Sequence, residues 1–235
     1  MILERPAAAR GDADFGWLRS KHTFSFGNYH DQAWMGFGPL RVINDDRVAG
    51  GGGFAPHRHA NMEIISVVLE GALAHKDSSG NAGVIRAGDV QWMSAGHGIE
   101  HSEFNESATA PVHFLQLWIQ PDRLNAEPAY GQAYFDPDAR RARWAVLASP
   151  GGDEGSLAVR QQAWLRATRL HADDHVAMTL DPARRYWLHV AEGDVRLGER
   201  VLQAGDALGF VDEAGVIELQ GIGGTSDVLL FDLPA

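Results

Sequence analysis

No cysteine occurs in the 235 residues, so disulfide stapling, thiolate catalysis and cysteine-rich zinc sites are excluded. Any bound metal must be held by His, Asp or Glu. Basic charge is also scarce. Twenty Lys and Arg stand against 31 Asp and Glu, a formal net charge of −11. A phosphate backbone wants a basic stripe, so a nucleic-acid partner is not expected. The one tight basic run, Arg140, Arg141 and Arg143, reads as a solvated face. No apolar run approaches the ~20 residues of a membrane span. Residues 1–16 carry Glu4, Arg5, Arg10, Asp12 and Asp14 and lack the apolar stretch of a secretory signal. The expectation is a cytoplasmic chain with no membrane association.

Apolar residues make up 45% of the chain, enough to bury a real core, and charged residues make up 22%. Long helical patterns are lacking. The 27 glycines, with Asn and Asp, punctuate short apolar segments, the pattern of an all-β barrel or sandwich. Ile64 to Glu70, Val90 to Met93 and Val112 to Ile119 read as strands, and Asp77 to Gly80 as a turn. His22, Phe24 and Phe26 alternate as on a strand, with the two phenylalanines in the core. The halves echo each other. Val67 to Gly71 and then Ala87-Gly88-Asp89 are matched by His189 to Gly193 and then Ala204-Gly205-Asp206. Such self-similarity suggests two tandem barrels. The expected division is 1–124 for a metal-binding barrel and 125–235 for a barrel without metal ligands. Residues 121–150, rich in Pro, Ala and Arg, connect the halves and are where helix is expected.

The chemistry concentrates in the first half. His57 and His59 stand two apart in GGGFAPHRH, and on a strand both imidazoles face the same way. Pro56 fits a strand edge. His101 and Glu103, in HSE, have the same spacing. Two such pairs on neighbouring strands bring three nitrogens and a carboxylate oxygen together, a donor set for a borderline divalent metal with open positions. Spacing alone does not decide between Glu103 and Glu63 as the carboxylate, since Glu63 is i+4 from His59. Other histidines carry weaker signals. His97 lies in the loop before His101 and faces either the site or solvent. His75 reads as a turn residue past Gly71. His171 and His175, at i,i+4, would need a helix, whereas their surroundings read as a loop entering a strand.

These motifs resemble the cupin superfamily and, within it, the pirin family. The first cupin motif is matched by Gly51-x5-His57-x-His59-x3-Glu63 followed by Gly71. The second is matched by Gly88-x5-Ser94-x-Gly96-x4-His101-x3-Asn105. Seven residues between Glu63 and Gly71 in place of six, and Ser94 in place of Pro, are pirin-like departures. HTFSFGNY (His22 to Tyr29), LRVINDD (Leu40 to Asp46), QWMSAGHGIEHSE (Gln91 to Glu103) and LQLW (Leu115 to Trp118) also resemble pirin signatures. They cover most of the first 120 residues; the second half matches more loosely.

The resemblance implies an all-β bicupin of two antiparallel jelly-roll barrels with few short helices. It also implies a metal set of His57, His59, His101 and Glu103, with Glu63 structural or supporting a ligand from behind. Aligning Gly205 with Gly88 and Gly193 with Gly71 puts Thr179, Asp181, Glu218 and Gln220 at the ligand positions of the second half. That half is then expected to be a lid or packing partner. One divalent ion is expected, Fe(II) first, with Ni, Mn, Co, Cu and Zn also allowed by the donors. Bacterial pirins of this kind resemble quercetin 2,3-dioxygenases. The implied reaction is cleavage of a flavonol-like small aromatic substrate by O2 with release of carbon monoxide, Glu103 serving as ligand and as catalytic base for the 3-hydroxyl. The chain is expected to act as a monomer. Two rivals are a non-enzymatic, metal-dependent regulator acting through a protein partner, and a metal-dependent isomerase or lyase.

Overall fold

The computed structural model describes all residues, Met1–Ala235. It contains twenty strands and no α-helix; helical geometry is confined to 3-10 turns at Ala7–Ala9, Asp138–Arg140 and Asp153–Gly155. The two-barrel, all-β architecture is the one the resemblance implies. Only one of the three helical turns lies in the 121–150 segment. That segment instead supplies a strand to each barrel, because its Pro- and Arg-rich stretch is short and flanked by alternating residues that can pair.

In chain order the strands are β1 (Ile2–Arg5), β2 (Gly11–Asp14), β3 (Leu18–His22), β4 (Leu40–Val48), β5 (Gly53–His59), β6 (Glu63–Glu70) and β7 (Ala72–Asp77). Next come β8 (Ala82–Arg86), β9 (Asp89–Ser94), β10 (Ile99–Asn105), β11 (Val112–Ile119) and β12 (Ala129–Tyr134). The remainder are β13 (Ala145–Ser149), β14 (Leu157–Ala158), β15 (Trp164–Leu170), β16 (His175–Leu180), β17 (Arg184–Leu197), β18 (Arg200–Gln203), β19 (Ala207–Val211) and β20 (Gly215–Pro234).

Two compact units result. One comprises Gly11–Phe135 and Val159–Gln161, and holds a seven-stranded sheet, β12-β9-β6-β11-β4-β3-β2, and a four-stranded sheet, β5-β10-β7-β8. The other comprises Met1–Arg10, Asp136–Ala158 and Gln162–Ala235, and holds a nine-stranded sheet along β1-β19-β17-β20-β15-β13-β14, with β16 on β20 and β18 on β17. The only parallel pairing between strands is β13 with β14.

The first unit turns its chain between sheets at Gly71. Its φ is +79°, and a Cβ there would meet the Pro111 carbonyl oxygen at 2.8 Å, so only glycine fits the reversal from β6 to β7. Two apolar clusters fill this barrel. Leu18, Val48, Val68, Leu73, Ile85, Val112 and Phe114 form one; Ile64, Met93, Ala95 and Ile99 form the other. Between them runs a polar row set by strand register: Gln91, Ser66, Gln116, Asn44 and His22 pair successively across β9, β6, β11, β4 and β3, and all are buried. The strand reading of His22 to Phe26 needs correction, because β3 ends at His22. Phe24 is buried as expected, while Phe26 is half-buried beyond the strand and packs edge-on against Trp118 at 5.4 Å.

Candidate metal centre

β5 is the edge of its sheet, which is why Pro56 is tolerated in it: no neighbour needs its missing N–H. Alternation then puts His57 and His59 on the inner face and Arg58 outside, where it pairs with Glu100 of β10 at 3.1 Å. His101 lies directly opposite His57. The three imidazoles converge, with ring centroids 4.4 Å (His57–His101), 4.8 Å (His57–His59) and 4.9 Å (His59–His101) apart. One ring nitrogen from each lies within 4.8 Å of those of the others, the reach of a single metal ion.

A register shift adds one residue on the β5 side between His57 and Phe54, so Glu103 stands opposite Phe54, while β10 keeps regular register with β7 and Glu103 faces His75 there. Glu103 is grouped with His101 and with His75, again with donor atoms within 4.8 Å of one another, and all three residues are buried. Of the expected ligands, then, the structure brings His57, His59 and His101 into one three-donor group, and Glu103 into a second group that shares His101.

His75 was read as a turn residue and needs correction. It lies on β7, directly opposite Glu103 of β10, with 3% of its surface exposed. The turn begins only after Asp77, whose carboxylate accepts the backbone N–H groups of Ser79 (2.9 Å) and Asn81 (3.0 Å) and the Asn81 side-chain amide (2.9 Å). The available signal was His75-x-Asp77, which repeats the i,i+2 spacing of the ligand pairs.

The electrostatics favour metal-binding protonation states. Burial, reinforced by the neighbouring histidines, pushes His101 down to about 2 and His59 down to about 4. Both imidazoles are therefore neutral at ordinary pH, the form that coordinates. Nδ1 and Nε2 of His101 and Nε2 of His59 are buried with no hydrogen-bond partner. Orphaned buried nitrogens at the focus of three converging rings are what a coordinated ion would satisfy, so these residues fit a divalent metal. Burial raises the Glu103 carboxyl above its ordinary value, opposed chiefly by the Gln116 side chain. Gln116 Nε2 donates to Oε1 at 3.1 Å and to Oε2 at 3.0 Å, and Ser66 Oγ donates to Oε1 at 3.4 Å. The polar row thus holds the carboxylate from below.

Glu63 is fully buried and occupied elsewhere. It accepts Trp92 Nε1–H at 2.7 Å, Ser94 Oγ–H at 2.5 Å and the Arg160 backbone N–H at 3.1 Å, and joins neither donor group. His97 is exposed and faces Glu127 at 3.2 Å. His175 starts β16, is exposed and pairs with Glu218 at 3.0 Å; the segment is not helical, so His171 and His175 do not share a face. One wall of the site is aromatic. Trp118 stands edge-on to His59 at 4.8 Å and to Phe26 at 5.4 Å. Neither Gln116 nor Trp118 stood out in the sequence except as letters of LQLW.

Comparison with known proteins gives concordant results. The profile of the family described as Pirin matches residues 4–119, and that described as Quercetinase C-terminal cupin domain matches residues 146–233. The chain is 44% identical over 235 residues to the quercetin 2,3-dioxygenase of Escherichia coli K12, covering 100% of this chain and 99% of that one. It is 41% identical over 216 residues to a pirin-like protein of Caulobacter vibrioides, covering 91% of this chain and 92% of that one. Among solved structures, the bacterial pirin YhhW of E. coli in complex with nickel(II) superposes with a TM-score of 0.93 at 42% identity, covering 100% of this chain and 99% of that one.

Proposed function

Because the chain belongs to the pirin family of the cupin superfamily, we propose that it is a metal-dependent dioxygenase of the quercetin 2,3-dioxygenase type. The observation that carries this reading is the convergence of three imidazoles with orphaned buried nitrogens beside the buried carboxylate of Glu103. His57, His59, His101 and Glu103 would hold one divalent ion. Imidazole and carboxylate donors with positions left open suit Fe(II), and Ni, Mn, Co, Cu and Zn are compatible with the same set. When bound, the metal supplies Lewis acidity that lowers the pKa of a chelating hydroxyl.

The chain's own residues supply the rest. One carboxylate against a divalent ion leaves a site of net positive charge, which favours an anionic chelating substrate. Trp118 and Phe26 offer an aromatic wall beside His59, suited to a planar, flavonol-like ring. Glu103, with its carboxyl raised by burial and its oxygens held by Gln116 and Ser66, accepts the 3-hydroxyl proton. Dioxygen is the co-substrate. The same proposal has the chain act as a cytoplasmic monomer without nucleic acid or membrane. Separately, no helix of the structure is long and apolar enough to cross a membrane.

The test is oxygen uptake by metal-loaded protein with quercetin, with carbon monoxide measured as product, across Fe, Ni, Mn, Co and Cu forms. Uptake should require both the 3-hydroxyl and the 4-carbonyl, so flavones lacking the 3-hydroxyl should be poor substrates. Uptake no faster than with free metal in every form would overturn the reading.

A further inference from the structure

The interior donor cluster is larger than the four residues named above. His75, His101 and Glu103 place their donor atoms within 4.8 Å of one another, and their exposures are 3%, 1% and 1%. His57 and His59, by contrast, are half-exposed. The His75–His101 centroid distance, 5.4 Å, is close to those within the outer trio. Strand register explains the grouping, since His75 is the direct cross-strand partner of Glu103.

His75 is also held as metal-binding histidines are held. Its Nε2 faces Asp77 Oδ2 at 3.4 Å. Asp77 itself accepts the backbone N–H groups of Ser79 and Asn81 and the Asn81 side-chain amide, which fix its carboxylate toward His75. A carboxylate accepting Nε2–H leaves the lone pair on Nδ1, which meets only the Gln91 amide at the long distance of 3.4 Å. An imidazole whose second nitrogen donates to a carboxylate is the usual arrangement behind a coordinating histidine. The ring plane is fixed by Tyr130, stacked at 5.2 Å and 20°.

We propose that the barrel offers the metal two overlapping stations: an outer one of His57, His59 and His101, completed by Glu103 as above, and an inner, fully buried one of His75, His101 and Glu103. The inner set is two imidazoles and one carboxylate, a composition suited to Fe(II) with open positions. Because the stations share His101, only one is filled at a time and the stoichiometry stays at one ion per chain. The inference rests on the metal-centre reading above and deepens it.

The test uses Co(II), whose visible ligand-field absorption reports its donors. Metal-free chain, the double variant His57→Ala/His59→Ala and that variant with His75→Ala added are each titrated, with circular dichroism to verify folding. If alanine unfolds the chain, His57→Gln/His59→Gln and His75→Gln replace it. The double variant should still bind about one Co(II) per chain, with a shifted spectrum, and adding the His75 substitution should weaken binding at least tenfold. A double variant that binds no Co(II), or binds it equally with and without His75, would overturn the inner station alone. An unsubstituted chain that binds no Co(II) would overturn the metal centre as well.

Discussion

The pair β5–β10 in the first barrel and the pair β16–β20 in the second occupy the same place in their folds, with opposite contents. The corner glycines Gly71 and Gly193 both take positive φ, +79° and +71°. Counting from them, His75 corresponds to Leu197, and Leu197 faces Leu219 across β17–β20 as His75 faces Glu103 across β7–β10. His101 then corresponds to Ile217, whose partner Met178 stands where His57 does, and Leu180 stands for His59. Leu180, Leu197 and Leu219 belong to the apolar core of the second barrel, with Met178 and Ile217 packed against it. One interior is a cluster of donors above a polar row; the other is a hydrocarbon plug.

The comparison corrects the alignment that put Thr179, Asp181, Glu218 and Gln220 at the ligand positions. Thr179 and Glu218 point outward and are exposed. A slip of one residue moves a side chain to the opposite face of a sheet, so motif spacing without register reads the wrong face. The lesson is that a repeated barrel can keep the strand pairings around its interior and exchange its chemistry by changing the inward residues.

The sharpest way to break the contrast is to put a donor into the plug. Leu219→Glu should lower stability by about 3–5 kcal/mol, because a carboxyl there finds no partner among Leu180, Leu197 and Ile217. It should add no metal per chain. Urea unfolding and metal analysis check both; a second bound ion would show the plug to be a latent site.

The matched change in the first barrel is His101→Ala, which removes the donor common to both groups. Loss of a partner behind a ligand costs ~10–100-fold in metal affinity, so loss of a shared ligand should cost more than about 100-fold. Ile217→Ala, its counterpart, should leave metal binding intact and cost about 2–4 kcal/mol of stability. Metal loss in Ile217→Ala would mean that the two interiors are not independent.

Glu63→Gln sharpens the assignment of the carboxylates. Trp92, Ser94 and the Arg160 N–H all donate to this side chain, so stability should fall by about 1–3 kcal/mol with metal content nearly unchanged. Glu103→Gln should lose more metal. The opposite order, seen in metal analysis of the two variants, would make Glu63 the ligand.

The pH dependence of the metal-free protein sharpens the contrast in another way. His59 and His101 have folded pKa values depressed from 6.5 to about 4 and about 2. Their contribution is present above pH 6.5 and is lost as the pH falls toward those values, since the unfolded chain binds the extra protons. Asp46 works the other way. Burial raises it to about 7, so its contribution is full below its unfolded value near 3.8 and is lost as pH rises through 7. The two windows overlap, and two histidines outweigh one aspartate there, so melting temperature should rise with pH to a maximum near 6.5 and fall slightly from there to 7. His101→Ala should flatten the acid flank and Asp46→Asn the alkaline flank. An unchanged acid flank in His101→Ala would place the titrating group outside the site.

What could be read along the chain was whatever depends on neighbours in sequence. The segments from Ile64, Val90 and Val112 form the expected strands, since β-branched alternation fits a pleated, half-buried surface. The pairs His57/His59 and His101/Glu103 face inward because side chains on a strand alternate, a property of two residues and the bond geometry between them. Register and strand order were not legible, because they depend on which distant segments pair. They decided that His75 faces Glu103, that an extra residue in β5 sets Phe54 opposite Glu103, and that Glu63 spends its oxygens on Trp92, Ser94 and Arg160. The sequence alone determined the donors available to the site; hydrogen bonding between strands far apart in the chain decided which of them meet.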